Sequence, residues 1–351
     1  MYTLKELLEK TIECKASDLH LTADLAPMLR INGKLKSVSE EKLSKDDLRS
    51  FSKELLGNKF EKYIENGEID SSYSLEGVGR FRVNVFRQLE SDAIAIRSIT
   101  LDVPTLEELN HPNIIKELVD KRRGLILVTG PTGSGKSTTL AAMINEINST
   151  RSENIITLED PIEYIHKHKK SIINQREIGR DSKSYKNALK AALREDPDVI
   201  LIGEMRDLET ISIAITAAET GHLVLSTLHT IGATQTIDRI IDVFPPYQQQ
   251  QIRVQLASVL QGVISQQLIE TIDNNNRVAA FETMIINPAI QNQIREGKTH
   301  QIQSVIQTGS KFGMKTMDMY LVDLINLGII DKEVAITYAL DKEMINRMMK
   351  F

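Results

Sequence analysis

Apolar and polar positions follow two different rhythms along this chain, and the change between them divides it. Leu4, Leu7, Leu8 and Ile12 recur at helical spacing, which predicts an amphipathic helix with one buried face. Ser17-Asp18-Leu19-His20-Leu21 then starts a strand. Arg30-Ile31-Asn32-Gly33-Lys34-Leu35 sets an Asn-Gly pair between apolar residues, a hairpin signal. A second amphipathic helix is expected over Asp46 to Tyr63, followed by two strands. In the second of these, Gly79 opens Arg80-Phe81-Arg82-Val83-Asn84-Val85, where Arg80 and Arg82 face one way and Phe81, Val83 and Val85 face inward. Ala93 to Ile99 reads as the next strand. These elements form a small α+β domain over 1–100. Two prolines, acidic residues and a His-Pro pair mark 101–113 as a linker.

From about 114 the rhythm changes. Short apolar, β-branched runs alternate with helix-length stretches: Leu125 to Thr129, Ile155 to Leu158, Val199 to Ile202 and Leu223 to Leu225. Such runs suit a largely parallel sheet buried by helices on both faces, so the fold class is α/β. After Pro245-Pro246 the pattern turns helical almost to the end, with Tyr247 to Leu268 one long helix and several short helices in the last fifty residues. No internal repeat interrupts this order.

Composition narrows the function. The 351 residues include 43 Lys plus Arg against 48 Asp plus Glu, a net charge of −5 that argues against a chain whose main task is coating nucleic acid. With 41% hydrophobic and 26% charged residues the chain is globular, not disordered or collagen-like. Cys14 is the single cysteine, which excludes an intramolecular disulfide and a four-cysteine zinc site. No apolar run reaches the length of a membrane span, and the opening MYTLKELLEK lacks a signal-peptide core. The expectation is a cytoplasmic protein with no direct membrane insertion.

The candidate chemistry begins where the first core strand ends. Gly130-Pro131-Thr132-Gly133-Ser134-Gly135-Lys136-Ser137 fits the phosphate-loop pattern G-x4-G-K-[ST], and Thr138 follows. Glycines let backbone N–H groups curl around phosphates, and the next helix adds its N-terminal dipole. Lys136 would reach the β- and γ-phosphates and the Ser137 hydroxyl would take a Mg²⁺ position, with ATP as the nucleotide. The plain alternative is a glycine-rich turn that binds nothing; the preceding strand and the helix Thr138 to Ile147 weigh against it.

The other core strands also end in polar residues, where ligands sit in doubly wound sheets. Ile155 to Leu158 leads into Glu159-Asp160-Pro161-Ile162-Glu163, Val199 to Ile202 into Gly203-Glu204, and Leu223 to Leu225 into Ser226-Thr227-Leu228-His229. Glu204 is placed as the general base for the attacking water. Its bland reading is a carboxylate at a helix N-terminus. Gly203 stands where many phosphate-loop enzymes carry a Mg-binding Asp, which leaves metal ligation to Ser137 with Glu159, Asp160 or Glu163. Glu163 also joins the catalytic candidates. His222 and His229 bracket the fourth strand and both join the catalytic candidates; His229 would sense the γ-phosphate or a neighbouring subunit, while His222 taken alone reads as a satisfied structural group.

Together these segments resemble a family. GPTGSGKST, ITLEDPIEY, DVILIGEMRDLET and TGHLVLSTLHT are similar to the Walker A, Asp, Walker B and His boxes of the secretion ATPases of type II and type IV pilus systems. GRFRVNVFRQ and the segment NPAIQNQIREGKTHQIQSVIQTGSKFGMKTMD look like the retraction-motor branch. The short stretch before the core and the single cysteine favour that branch over relatives with a long N-terminal extension and a four-cysteine zinc insertion. Gln291 and Gln293 depart from the branch's usual Ala-Ile-Arg-Asn-Leu-Ile.

The resemblance implies a PAS-like N-terminal domain, a RecA-like phosphate-loop ATPase core over 114–351, and C-terminal helices from about 245. It further implies a homo-hexameric ring in which each neighbour completes the nucleotide site, with Arg80, Arg82 and Arg97 as candidates to reach across. Their alternative is an exposed strand face. The implied partner is an inner-membrane pilus platform protein, and the implied location is the inner face of the cytoplasmic membrane. Three other readings remain: an extension or type II secretion motor, a nucleotide-gated module that does not hydrolyse, and a RecA-like nucleic-acid translocase.

Overall fold

The chain folds as two units, 1–102 and 103–351, with the short segment Glu163–Ile165 grouped with the first. The computed structural model describes residues 2–31, 33–99, 103–273 and 276–348. Asn32 of the expected hairpin and residues 101 and 102 of the expected linker lie outside them.

In the first unit, helix α1 (Leu4–Glu13) begins at Thr3, whose side chain accepts from the Glu6 N–H while the Glu6 carboxylate reaches back to the Thr3 backbone. This reciprocal cap satisfies two of the donors every helix start leaves over. Strands β1 (Asp18–Leu21), β2 (Met28–Ile31) and β3 (Lys34–Ser37) follow, then α2 (Lys45–Leu56) and α3 (Phe60–Asn66), then β4 (Glu68–Leu75), β5 (Gly79–Gln88) and β6 (Ser91–Ile99). The single helix expected over Asp46 to Tyr63 is thus two helices joined by a tight turn at Gly57, whose φ of +50° a β-carbon disfavours.

The strands form one antiparallel sheet in the order β3-β2-β1-β6-β5-β4. Phe81, Val83 and Val85 are fully buried on its inner face with Leu4, Leu7, Leu8 and Leu48. Edge strand β3 is exposed along its whole length and carries Lys34 and Lys36. The other edge, β4, exposes Glu68, Asp70 and Ser74. Beneath the sheet the buried Tyr63 hydroxyl donates to Asp92 Oδ1 at 2.6 Å, and Arg49 Nη1 lies 3.2 Å from the same oxygen. Burial and the Asp92 charge push the Tyr63 phenol up to about 12, so it remains a donor at ordinary pH.

The second unit opens on residues 103–113, expected as linker. Here Thr105 and Glu108 cap a turn and Leu106 is buried in the core, so this stretch packs as part of the unit. Next come α4 (Ile114–Val119), β7 (Gly124–Thr129), α5 (Lys136–Thr150), β8 (Asn154–Glu159), β9 (Ile172–Glu177), α6 (Tyr185–Ala192), β10 (Val199–Ile202), α7 (Leu208–Glu219), β11 (Leu223–Leu228), α8 (Ala233–Asp242) and α9 (Pro246–Val259). Two long strands follow, β12 (Leu260–Glu270) and β13 (Arg277–Ile285), and then the short helices α10 (Pro288–Arg295), α11 (Ile302–Thr308), α12 (Met317–Asn326), α13 (Lys332–Tyr338) and α14 (Lys342–Met348).

The sheet runs β13-β12-β7-β11-β10-β8-β9 and is parallel except where β13 turns back on β12. Alternate residues of each core strand enter opposite layers. Leu125, Leu127, Ile200 and Ile202 pack under α6 to α11, while Ile126, Val128, Val199 and Leu201 pack under α4 and α5. Burial on both faces explains why these strands read as continuous apolar runs.

The helix expected over Tyr247 to Leu268 is corrected: α9 stops at Val259 and the chain continues as β12. Local propensity does not separate the two outcomes, because LQGVISQQLI holds helix formers and β-branched residues together. The partner decides it, since β12 pairs with β7 on one side and β13 on the other. Gly262 allows this close fit, as a β-carbon there would stand 3.0 Å from both Leu118 and the Met284 carbonyl oxygen. Edge strand β9 was also not anticipated. Among the described residues no helix is long and apolar enough to cross a membrane.

Replacing Tyr63 by Phe strips a donor from the buried Asp92 carboxylate. Urea unfolding should show the first unit destabilised by about 1–3 kcal/mol, the usual cost of a buried polar group left short of a partner.

Candidate functional site

Because β7, β11, β10 and β8 run parallel in register, their carboxyl ends lie side by side, and the candidate residues converge there. The loop after β7 turns sharply into α5. Gly130 has φ of +147° and a β-carbon on it would stand 2.2 Å from the Gln266 carbonyl oxygen of β12, so only glycine fits. The Ser134 hydroxyl is buried with no hydrogen-bond partner among the described residues. An orphaned donor inside a loop at a helix N-terminus matches a phosphate oxygen.

Lys136, only 8% exposed, is folded back into the loop. Its Nζ donates to the carbonyl oxygens of Gly130 at 2.9 Å and Pro131 at 3.0 Å, and lies 3.4 Å from His229 Nδ1. An ammonium can only donate, so His229 Nδ1 accepts and Nε2 carries the ring proton. That nitrogen is 3.3 Å from Glu204 Oε1, while Arg206 Nη2 is 2.7 Å from Glu204 Oε2. Lysine, imidazole, carboxylate and guanidinium therefore form one chain across the ends of β7, β11 and β10.

Glu204 is held by its neighbours' backbone. The Ser226 hydroxyl donates to the Ile202 carbonyl at 2.8 Å and the Thr227 hydroxyl to the Gly203 carbonyl at 2.6 Å, stitching β11 to the end of β10. Asp207 caps α7 by accepting from the Thr210 N–H, so the capping task considered for Glu204 belongs to Asp207. Burial alone would raise the Glu204 carboxyl, but the Arg206 hydrogen bond and the nearness of His229 outweigh it and hold it below the ordinary carboxylate range. It is an anion at neutral pH.

Glu159 accepts from the Thr157 hydroxyl at 2.6 Å and from Gln175 Nε2 at 3.2 Å. Between the strand ends stands Tyr185, which the sequence did not single out. Burial pushes its phenol well up, and the negative charges of Asp160, Glu159 and Glu204 add to the shift. A β-carbon on Gly203 would lie 2.9 Å from the Tyr185 hydroxyl oxygen, so a larger residue there would require the tyrosine to shift. Two buried groups behind the loop were missed as well. Thr139 on α5 and Gln266 on β12 connect to the loop carbonyl of Ser134, and His111 joins them. These contacts join distant parts of the sequence, and nothing local announces them.

Other candidates fall elsewhere. His222 is corrected: it lies at the amino end of β11, its Nδ1 2.8 Å from the Ala217 carbonyl oxygen and 3.2 Å from the Thr220 hydroxyl. At about 3.3 Å per residue, six residues of strand separate it from the phosphate loop. Glu163 groups with the first unit. Arg80, Arg82 and Arg97 stand on the first unit's sheet, where Arg82 and Arg97 are opposite each other on β5 and β6. Arg97 Nε donates to Asp18 at 2.9 Å, Arg82 lies 4.0 Å from Asp70 and Arg80 lies 3.4 Å from the Ser72 hydroxyl.

Comparison with known proteins places this arrangement in context. The family model of type II/IV secretion system proteins matches residues 2–319. The chain is 49% identical over 336 residues to the type IV pilus retraction ATPase PilT of Pseudomonas aeruginosa, covering 95% of this chain and 96% of that protein. It is 48% identical over 336 residues to the twitching motility protein of Neisseria gonorrhoeae, with 95% and 90% covered. The crystal structure of the pilus retraction motor PilT with bound ADP aligns at a TM-score of 0.93 and 48% identity, over 99% of this chain and 100% of that one.

The depressed Glu204 carboxyl has a consequence for stability. A group whose folded pKa lies below its unfolded value stabilises the fold above the unfolded value and loses that contribution as pH falls through the folded one. Urea unfolding of wild type and Glu204→Gln at pH 7 and at acid pH should therefore show the wild type losing more stability than the variant. The loss should set in as pH drops below 4.5, the carboxyl's ordinary value.

Proposed function

The chain belongs to the family of type II/IV secretion system proteins, and we propose that it is an ATP-hydrolysing motor that drives retraction of a type IV pilus. It is an ATPase of the retraction branch, on the strength of relatives that match nearly its whole length. The observation that carries the mechanism is the unbroken chain Lys136–His229–Glu204 at the carboxyl ends of three adjacent strands. It joins the residue placed for the phosphates to the residue placed for the water.

In this reading the loop N–H groups from Gly133 to Thr138, the Ser134 hydroxyl and Lys136 bind the phosphates. Lys136 exchanges its two loop carbonyls for β- and γ-phosphate oxygens. Glu204, anionic and fixed by Arg206 and His229, accepts a hydrogen bond from the attacking water and aligns it with the γ-phosphorus. His229 touches both Lys136 and Glu204, so displacement of Lys136 toward a γ-phosphate is felt at the base. Mg²⁺ prefers one or two protein oxygens beside phosphates and water, and the hydroxyl and carboxylate oxygens at these strand ends are of that kind. Ser137, Glu159 and Asp160 would hold it, directly or through water, and it would neutralise charge on the β- and γ-oxygens.

The transition state spreads charge over the γ-phosphoryl oxygens, and further cations lower its energy. Arg80, Arg82 and Arg97 supply them from a neighbouring copy in a homo-hexameric ring. Arg82 and Arg97 are exposed and pair with Asp70 and Asp18 on their own sheet; exposed pairs of this kind are worth little, so a phosphate oxygen competes well for those two. The ring acts against an inner-membrane pilus platform protein from the cytoplasmic side.

Purified wild type should hydrolyse ATP and Lys136→Ala should not, measured by released phosphate. Glu204→Gln should bind ATP with near-normal affinity and turn over about 10²- to 10⁴-fold more slowly, the range of a lost general base. Near-normal turnover in Glu204→Gln removes it as the base. Deleting the gene should leave excess surface pili; a bald cell would instead mark an extension motor.

A further inference from the structure

The phosphate loop is braced from behind by a buried line of side chains that the catalytic reading does not use. Gln266 Nε2 lies 2.6 Å from the Ser134 carbonyl oxygen, in the middle of the loop. Gln266 Oε1 is 2.7 Å from the Thr139 hydroxyl, one turn into α5, and that hydroxyl is 2.8 Å from His111 Nε2. Thr139 is 1% exposed and Gln266 2% exposed.

The direction of every proton in this line follows from its first member. A backbone carbonyl can only accept, so Gln266 turns its NH₂ toward Ser134 and its oxygen toward Thr139. That oxygen also only accepts, so the Thr139 hydroxyl spends its single proton on Gln266. The hydroxyl's remaining capacity is as an acceptor, and His111 must therefore donate through Nε2–H. Burial, opposed in part by the nearby Leu109 backbone, pushes the His111 imidazole down to about 4, so at working pH the ring is neutral and carries one N–H. The contact with the side chain of Phe281, ring centroids 4.8 Å apart, holds the ring in place. Reversing any one bond would set two donors or two acceptors face to face.

Gln266 also meets the loop at both ends. Its carbonyl oxygen closes on Gly130, and its Nε2 lies 3.1 Å from where a β-carbon on Gly135 would be. Both glycines and the Ser134 carbonyl are thus referenced to one β12 residue. His111 lies in the stretch 103–113, which joins the first unit to the core strands.

We propose that His111, Thr139 and Gln266 are positioning residues that hold the phosphate loop in its nucleotide-binding shape through a one-way hydrogen-bond relay ending on the Ser134 carbonyl. The relay rests on the reading of this loop as the nucleotide site. Its effect is on binding: a loop released from Gln266 samples other shapes, and affinity falls by the fraction of time it spends in them.

The test compares the full-length wild type with Thr139→Val, Thr139→Ser, His111→Leu and His111→Gln. The readouts are calorimetric binding of ADP with Mg²⁺, ATPase KM and kcat, and thermal melting. Val matches the shape of Thr without the hydroxyl; Ser and Gln restore a donor at the same place. Thr139→Val and His111→Leu should raise the ADP Kd and the KM threefold or more, with kcat changing by less than the KM. Thr139→Ser and His111→Gln should recover most of the loss, and Thr139→Val combined with His111→Leu should be no worse than the poorer single variant. A Kd and KM within threefold of wild type for Thr139→Val, or a Thr139→Ser as weak as Thr139→Val, overturns the relay and leaves packing as the role of these residues. A wild type that binds no ADP overturns the nucleotide reading and the relay with it.

Discussion

The organising constraint is a buried lysine that can only donate. Lys136 lies almost wholly inside the loop that carries it, and an ammonium removed from water must meet acceptors on every side. Two backbone carbonyls and one imidazole nitrogen supply them. Each choice propagates. The imidazole that accepts at Nδ1 carries its proton on Nε2 and faces a carboxylate, and a guanidinium on the carboxylate's other oxygen helps hold it as an anion against burial. The parallel sheet brings these groups together because it ends β7, β10 and β11 at one level.

This explains which parts of the molecule were legible beforehand. The phosphate loop, Glu204 and His229 were readable because each is written locally, as an apolar run followed at once by polar residues. Burial on both faces removes the polar alternation that would otherwise blur such a run. The inward set Phe81, Val83 and Val85 was readable for the opposite reason: one face is buried, so the alternation survives.

The errors share a cause as well. β12 was read as the end of a helix because Leu, Gln and Ile satisfy either period, and only the open side of β7 decides between them. Losing β12 hid Gln266, and without Gln266 neither Thr139 nor His111 had a visible purpose. His222 was drawn into the site by its nearness in sequence to His229, yet a strand has two ends and only one of them meets the loop.

The borders of the first unit's sheet bear on how copies of the chain can meet. A row of unpaired backbone groups invites any neighbouring strand to join it, and copies crowded side by side would meet that invitation constantly. Lysines along β3 and acidic residues with serine along β4 make such joining unfavourable at both margins. Strand-to-strand joining at these margins is thereby disfavoured, which leaves side chains on the faces as the surface open to contact. A contact made by side chains can be broken and remade in a cycle, whereas a merged sheet, once zipped, would hold its partners fast.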